Sequence, residues 1–376
     1  MKRSLALVAA LVAAALAIAC GGQAPAGAGR PGQAAGAGGA EAAARGLVFL
    51  PGASAIKVVD GASGRVRGTL PAGTPSPDWR RLYVLRDGTL DQLDTATGRA
   101  VESQPVPGWV RAVRTSADGR WLAFAGDGAP SRFQVQDAVR ADRPTTVELP
   151  GTFTFDGLSN DGRRLYLLQW MEPGRYQIRM FDLSSGRLDP AVIADKREVG
   201  ELMSGEALTS LTTRGGAMQL TLYQRSAADQ AFVHALPIGE PQPFAFCEDL
   251  PAPAAGWGFV AGPDGQRFYA VNPAAGWVVE LRAGSAADEP RVRTGRIDPQ
   301  PGAPAGVTPA AAVSPDGATL FLSAATGLVR VDTSTLQATG RVPAGGPVAA
   351  IAFASDGSAL YAMDTAASVT RIDLGR

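Results

Sequence analysis

A four-residue turn, Ser314-Pro315-Asp316-Gly317, sits between two short apolar runs and recurs along the chain. Around this copy, Ala310 to Val313 reads as a small-residue inner strand and Leu320 to Leu322 as a second. Leu328 to Val331 reads as a third strand and Gly340 to Val342 as an outer edge, because short alternating runs bounded by turn residues are the pattern of half-buried strands. In the turn, proline presets φ, the aspartate bonds back to its own backbone, and glycine takes the left-handed position. Other copies stand at Ser76-Pro77-Asp78-Trp79, Ser116-Ala117-Asp118-Gly119, Ser159-Asn160-Asp161-Gly162, Thr213-Arg214-Gly215-Gly216, Gly262-Pro263-Asp264-Gly265 and Ala354-Ser355-Asp356-Gly357; the Thr213 copy lacks the aspartate. That makes seven turns spaced about 40 to 54 residues apart, the period of four-stranded propeller blades with some loop insertions.

A second mark keeps register with the first. After several third strands an Asp and a later Gly bracket a turn, as in Asp60 with Gly64, Asp94 with Gly98 and Asp182 with Gly186. The expected fold is therefore all-β, a β-propeller of seven four-stranded blades, with eight as the alternative. Ahead of the first turn, Leu47 to Leu50, Ile56 to Val59 and Val66 to Leu70 read as three strands without an inner one. The last unit, with strands at Val348, Leu360 to Met363 and Val369 to Ile372, lacks an outer one. Joining the N- and C-terminal strands in one blade would close the ring and remove exposed sheet edges.

The propeller accounts for residues 46–376. Residues 1–20 read as a targeting segment: Lys2 and Arg3 precede an apolar run, Leu5 to Ile18, that is short for a membrane span, and Ala17-Ile18-Ala19-Cys20 ends it. These last residues resemble the lipobox of bacterial lipoproteins, with Ala17 where Leu is usual; the resemblance implies a signal peptide and acylation of Cys20. The alternative is an ordinary secretory peptide cut near Ala19, and both readings export the protein. Residues 21–45 are rich in Gly, Ala, Pro and Gln and carry no bulky apolar side chain, so they read as a flexible tether. Its root-mean-square reach is on the order of 25 to 30 Å.

The inner turns, combined with third strands such as Leu328 to Asp332 followed by Asp332-Thr333-Ser334-Thr335-Leu336, resemble the bacterial YVTN-type propeller repeat over most of 46–376. Stretches from Phe155 to Leu168 and from Phe232 to Pro251 also look like segments of uncharacterised exported propellers. These likenesses carry a fold and no single activity. What they imply is a membrane-tethered binding or scaffold module, with a lactonase-like hydrolase or quinone-dependent dehydrogenase as the alternative.

Residue inventory narrows the chemistry. His234 is the single histidine, on a strand face with Phe232 and Leu236, and reads as packed. One imidazole cannot supply the usual metal constellations. Cys247, beside Phe246, reads as a buried thiol, and with Cys20 acylated no internal disulfide remains. The recurrent turn aspartates are explained by turn geometry, with no EF-hand spacing, so neither a metal nor a cofactor is expected. Formal net charge is zero and the arginines are scattered, against a nucleic-acid surface. The expected partner is an envelope protein or small ligand, and the expected state a monomer.

The middle of the chain departs most from the repeat and carries the longer loops, where a specialised site is expected. Strand alternation places the inner turns on one face of the ring. The opposite face collects Trp109, Asp127, Asp156, Trp170, Glu172, Arg175, Glu206 and Trp257, a mix of aromatic anchors and charges centred on the Trp170 to Arg175 loop. The plainer reading of these tryptophans is that they cover the ends of neighbouring blades.

Overall fold

Alternation in the sequence is realised as β-strand, with one short 3-10 turn among the described residues at Ser226–Ala228. The computed structural model describes residues 46–374 except 142, 197–199, 201, 240–243, 286–287 and 301–307. The expected signal peptide and tether, Cys20 included, lie outside the described residues.

The strands follow one another as antiparallel meanders. The first holds β1 (Leu47–Pro51), β2 (Ala55–Asp60) and β3 (Val66–Pro71), and the second β4 (Thr74–Pro75), β5 (Arg81–Arg86), β6 (Thr89–Asp94) and β7 (Ala100–Pro105). The third holds β8 (Val110–Thr115), β9 (Trp121–Gly126), β10 (Ser131–Asp137) and β11 (Thr145–Leu149). In the fourth are β12 (Thr152–Leu158), β13 (Arg164–Glu172), β14 (Arg175–Asp182) and β15 (Arg187–Asp195), with the short β16 (Met203–Ser204) added beside β14. The fifth comprises β17 (Glu206–Thr212), β18 (Met218–Arg225), β19 (Gln230–Pro237) and β20 (Phe244–Leu250), and the sixth β21 (Gly258–Ala261), β22 (Arg267–Asn272), β23 (Trp277–Arg282) and β24 (Arg291–Arg296). The seventh has β25 (Ala311–Val313), β26 (Thr319–Ala324), β27 (Gly327–Asp332) and β28 (Gln337–Val342), and the last β29 (Val348–Phe353), β30 (Ala359–Asp364) and β31 (Val369–Asp373).

The fold is a β-propeller. Counted by hydrogen bonding there are seven sheets, in keeping with the seven inner turns. The nine-stranded one is double: its two meanders join where β15 and β20 run parallel, Ala194 beside Phe244 and Asp195 beside Ala245. Counted as meanders, the seven sheets with one double make eight, the alternative count.

Apolar clusters fill the seams between successive meanders. Phe49 and Val58 meet Trp79 and Leu82, and Phe133 and Val147 meet Phe153 and Leu165. Leu220 and Val233 meet Phe259 and Phe268, and Phe321 and Leu328 meet Ile351 and Leu360. Burial of these faces is the main term holding one unit to the next. The ring closes on itself: Val48 and Leu50 pack on Ala350, Tyr361 and Met363. Tyr361 Oη donates to Gly61 O at 3.1 Å, and the Arg371 guanidinium donates to Ala62 O.

The chain ends thus meet, but as two adjoining three-stranded sheets rather than one shared blade. β1 is buried along almost its whole length and lies beside β29, so the N-terminal unit does possess an inner strand. Its hairpin is closed by Gly52 N donating to Ala55 O at 2.8 Å, without the recurrent turn, which is why it escapes a count of those turns.

The turn serine has a role that the spacing alone conceals. Ser314 Oγ accepts from Thr319 N at 2.9 Å while donating to Asp316, and Ser116 Oγ accepts from Trp121 N at 3.0 Å. The Ser314 hydroxyl and the Ala318 N–H hold the Asp316 carboxyl below the usual range. In the aberrant fourth copy, Thr213 Oγ1 takes over by accepting from Met218 N at 3.0 Å, and Gly216 N donates to Thr213 O at 2.9 Å. That copy is a full turn despite its missing aspartate. The second mark also holds: Gly64, Gly98 and Gly186 donate to Asp60, Asp94 and Asp182 carbonyls at 2.8, 2.8 and 2.9 Å.

Candidate functional site

Strand direction puts Trp109, Asp127, Trp170, Glu172, Arg175 and Glu206 at the ends of their strands away from the inner turns. Asp127 and Glu206 are exposed. Trp109 is half-buried against Gly126, where a Cβ would come within 2.8 Å of its ring, so it covers the end of its own meander. Trp170 is also half-buried; its Nε1 donates to Thr154 Oγ1 at 3.1 Å and its ring meets Tyr176 edge-on at 5.1 Å. Glu172 and Arg175 form an exposed ion pair at 3.3 Å across the β13–β14 turn.

Two of the expected residues are not on the surface. Trp257 is 1% exposed, with Nε1 donating to Pro253 O at 2.8 Å, and belongs to the core between the fifth and sixth meanders. Asp156 is buried at a bulge in β12, where the register slips between Phe155 and Gly157 and turns its side chain into the seam with the fifth meander. Gln219 Nε2 from β18 donates to both Asp156 O and Oδ1, at 3.0 and 3.1 Å, and Oδ2 has no hydrogen-bond partner among the described residues. Burial pushes the carboxyl up to about 7 against the pull of Gln219.

The Arg175 end of this face opens into a recess of about 260 Å³. Arg175, Leu202, Met203, Ser204, Asp195, Arg225 and Cys247 line it, drawn from third, outer and second strands and from β16 with the residue before it, and from none of the inner strands. It therefore lies toward the rim where the fourth and fifth meanders join, not over the central channel. Arg225 is fixed there: Nε donates to Ser204 O at 3.2 Å, Nη1 to Gln230 Oε1 at 2.9 Å, and its guanidinium stacks 4.1 Å from the Phe232 ring centre. Asp195 is nearly buried, and its Oδ2 accepts from Cys247 N at 2.8 Å.

Behind the recess the seam is polar in a way that apolar patterning hides. Cys247 and His234 face each other across β19 and β20, and Tyr223 lies edge-on to the imidazole at 6.2 Å. Burial raises the Cys247 thiol well above its ordinary range, and the hydrogen bond to Asp195 raises it further. Burial lowers His234 to about 4, against the opposing field of Asp195, and neither ring nitrogen has a hydrogen-bond partner among the described residues. Burial likewise raises Tyr176 and Tyr223, with Asp156 adding to both. A neutral imidazole sealed from solvent and a thiol held protonated are poor starting points for general-base or thiolate chemistry. Among the described residues no group of three His, Cys, Asp or Glu side chains could hold a metal ion.

No family model matches the chain, and no curated protein matches it. Solved structures do. Apo AztD from Citrobacter koseri is similar with a TM-score of 0.54 at 13% identity, covering 87% of this chain and 94% of that one. The Cps50 (Swd1) β-propeller domain of Myceliophteria thermophila aligns with a TM-score of 0.48 at 13% identity, over 81% of this chain and 97% of that one. Hydrazine synthase of Kuenenia stuttgartiensis aligns at 0.43 and 16% identity, over 88% and 93%. The likeness is one of fold.

Sequence reasoning singled out Arg175, which lines this recess, and did not name Asp195, Arg225 or Met203 beside it. Asp195 ends β15, in the middle of the chain where the repeat is least regular. No local pattern marks Arg225; its place depends on β16 folding back beside β14.

Proposed function

We propose that the protein is a bacterial lipoprotein of the YVTN-propeller type, exported and held at the membrane through Cys20, which binds a ligand or envelope partner on the face opposite its inner turns. The recess beside Arg175 carries the reading. It combines a fixed guanidinium, an exposed one and adaptable apolar walls, while burial keeps the thiol and the imidazole behind it neutral. Such a lining suits recognition of a small ligand.

Two measurements test this. Cys20→Ser should abolish lipid labelling and release the protein from the membrane fraction, since two acyl chains suffice for stable anchoring; unchanged fractionation would reject the anchor. For the face, cross-linking in intact cells should give adducts that disappear with Trp170→Ala plus Arg175→Ala and persist with Asp316→Ala plus Asp264→Ala. Adducts that survive the first pair in a folded protein, or vanish with the second pair alone, place binding elsewhere.

A further inference from the structure

We propose that the recess between β14, β16, β18 and β20 binds a small organic carboxylate, its carboxylate held by Arg225 and Arg175 and its apolar part lying on Leu202 and Met203. The inference rests on the functional reading of this face and narrows it to a ligand class.

Charge is the first reason. The lining carries two guanidiniums and one carboxylate, and that carboxylate is turned inward: Asp195 is 8% exposed, accepts the Cys247 N–H at 2.8 Å and takes the thiol as a second donor. Within the lining the guanidiniums outnumber the carboxylates two to one, and the second counter-charge, Glu172, comes from outside it. A planar guanidinium is matched to a carboxylate by two parallel N–H donors.

The two arginines differ in a useful way. Arg225 is pinned by the Ser204 carbonyl, the Gln230 amide and the Phe232 ring, so little side-chain entropy remains to be lost when a ligand arrives. Arg175 is 53% exposed and paired at 3.3 Å with Glu172, itself 51% exposed. An exposed pair of this kind contributes little in water, so a ligand carboxylate can take the place of Glu172 at small cost.

Size and polarity complete the description. At about 260 Å³ the recess falls just below the usual range of drug-sized pockets, which suits a ligand of few heavy atoms. Leu202 and Met203 give it an apolar wall, and the flexible thioether adapts to irregular shapes. An inorganic anion would leave that wall without a partner; a carboxylate with a short hydrocarbon body would cover it.

Phenylacetate is a suitable probe, titrated into the full exported chain by calorimetry, with neutral phenylacetamide and inorganic phosphate as parallel arms. Saturable binding of phenylacetate alone is expected, weakened by about tenfold or more in Arg225→Gln, as for loss of a charged hydrogen bond. Arg175→Gln, on an exposed side chain, should weaken it as well and decides the matter if Arg225→Gln does not fold. Absence of phenylacetate binding, equal binding of phenylacetamide, equal binding of phosphate, or indifference to Arg175→Gln would each overturn the proposal. Failure of phenylacetate alongside cross-links that still depend on Trp170 and Arg175 would remove the ligand class and leave the binding face standing.

Discussion

Asp156→Asn should stabilise the protein, and the gain should grow with pH. In the native fold the Asp156 carboxyl is buried, has one oxygen without a hydrogen-bond partner among the described residues and is pushed up to about 7 from its ordinary 3.8. The unfolded chain loses this proton near its ordinary value, whereas the folded chain keeps it until about neutrality. Between those two values the unfolded state binds fewer protons, so wild-type stability falls as pH rises, and above about 7 the deficit levels off. A shift of about three units corresponds to about 4 kcal/mol at its upper limit. Asparagine keeps an oxygen for Gln219 Nε2 and places a buried amide donor where the protonated acid has its O–H. The variant should therefore match wild type near pH 4 and exceed it above pH 7. Urea denaturation at pH 5 and pH 8 measures the difference; an equal gain at both, or a loss at pH 8, would show that Asp156 is ionised and satisfied in the fold.

This behaviour shows where sequence reasoning stops. Sequence reasoning grouped Asp156 with the charges of the face opposite the inner turns. The bulge between Phe155 and Gly157 redirects it into the seam, where Gln219, 63 residues away, is its only hydrogen-bond partner among the described residues. A one-residue slip of this kind leaves no periodic trace. Trp257 is a similar case, since a tryptophan before an inner strand reads equally as an anchor or as core, and Pro253 O decides for core. His234, by contrast, was readable because it obeys alternation: it shares the inward side with Phe232 and Leu236 and is 1% exposed.

The turns were the most legible feature, because their chemistry is local. Ser, Asp and Gly act on backbone groups within five residues, so tertiary context has little to override. Closure was less so. Whether the end strands share a sheet or merely adjoin depends on contacts between residues some 300 positions apart, such as Tyr361 with Gly61. Those contacts have no signature in either segment alone.

Gly162→Ala should cost far more than Gly357→Ala, although the two glycines occupy the same place in their turns with φ of 67° and 70°. The left-handed conformation alone costs a non-glycine residue roughly 1–2 kcal/mol, and this term is common to both. The difference lies in the preceding turn. At Gly357 a Cβ would meet Pro315 at 3.5 Å, an ordinary contact, whereas at Gly162 it would fall 2.2 Å from the Trp121 ring. That ring is not free to move aside, because Trp121 Nε1 donates to Asn160 O at 3.1 Å and Arg120 lies over its face at 5.5 Å. Overpacking of this kind adds typically about 1–3 kcal/mol, so Gly162→Ala should cost about 2–5 kcal/mol in total. Successive turns therefore interlock, glycine of one against a side chain of the one before, as Gly216 does on Asn160 and Gly265 on Arg214. The glycine needed for its φ is also the residue that lets neighbouring units approach. Equal destabilisation of the two variants in denaturant titrations would mean that φ alone matters and that the turn-to-turn packing contributes nothing.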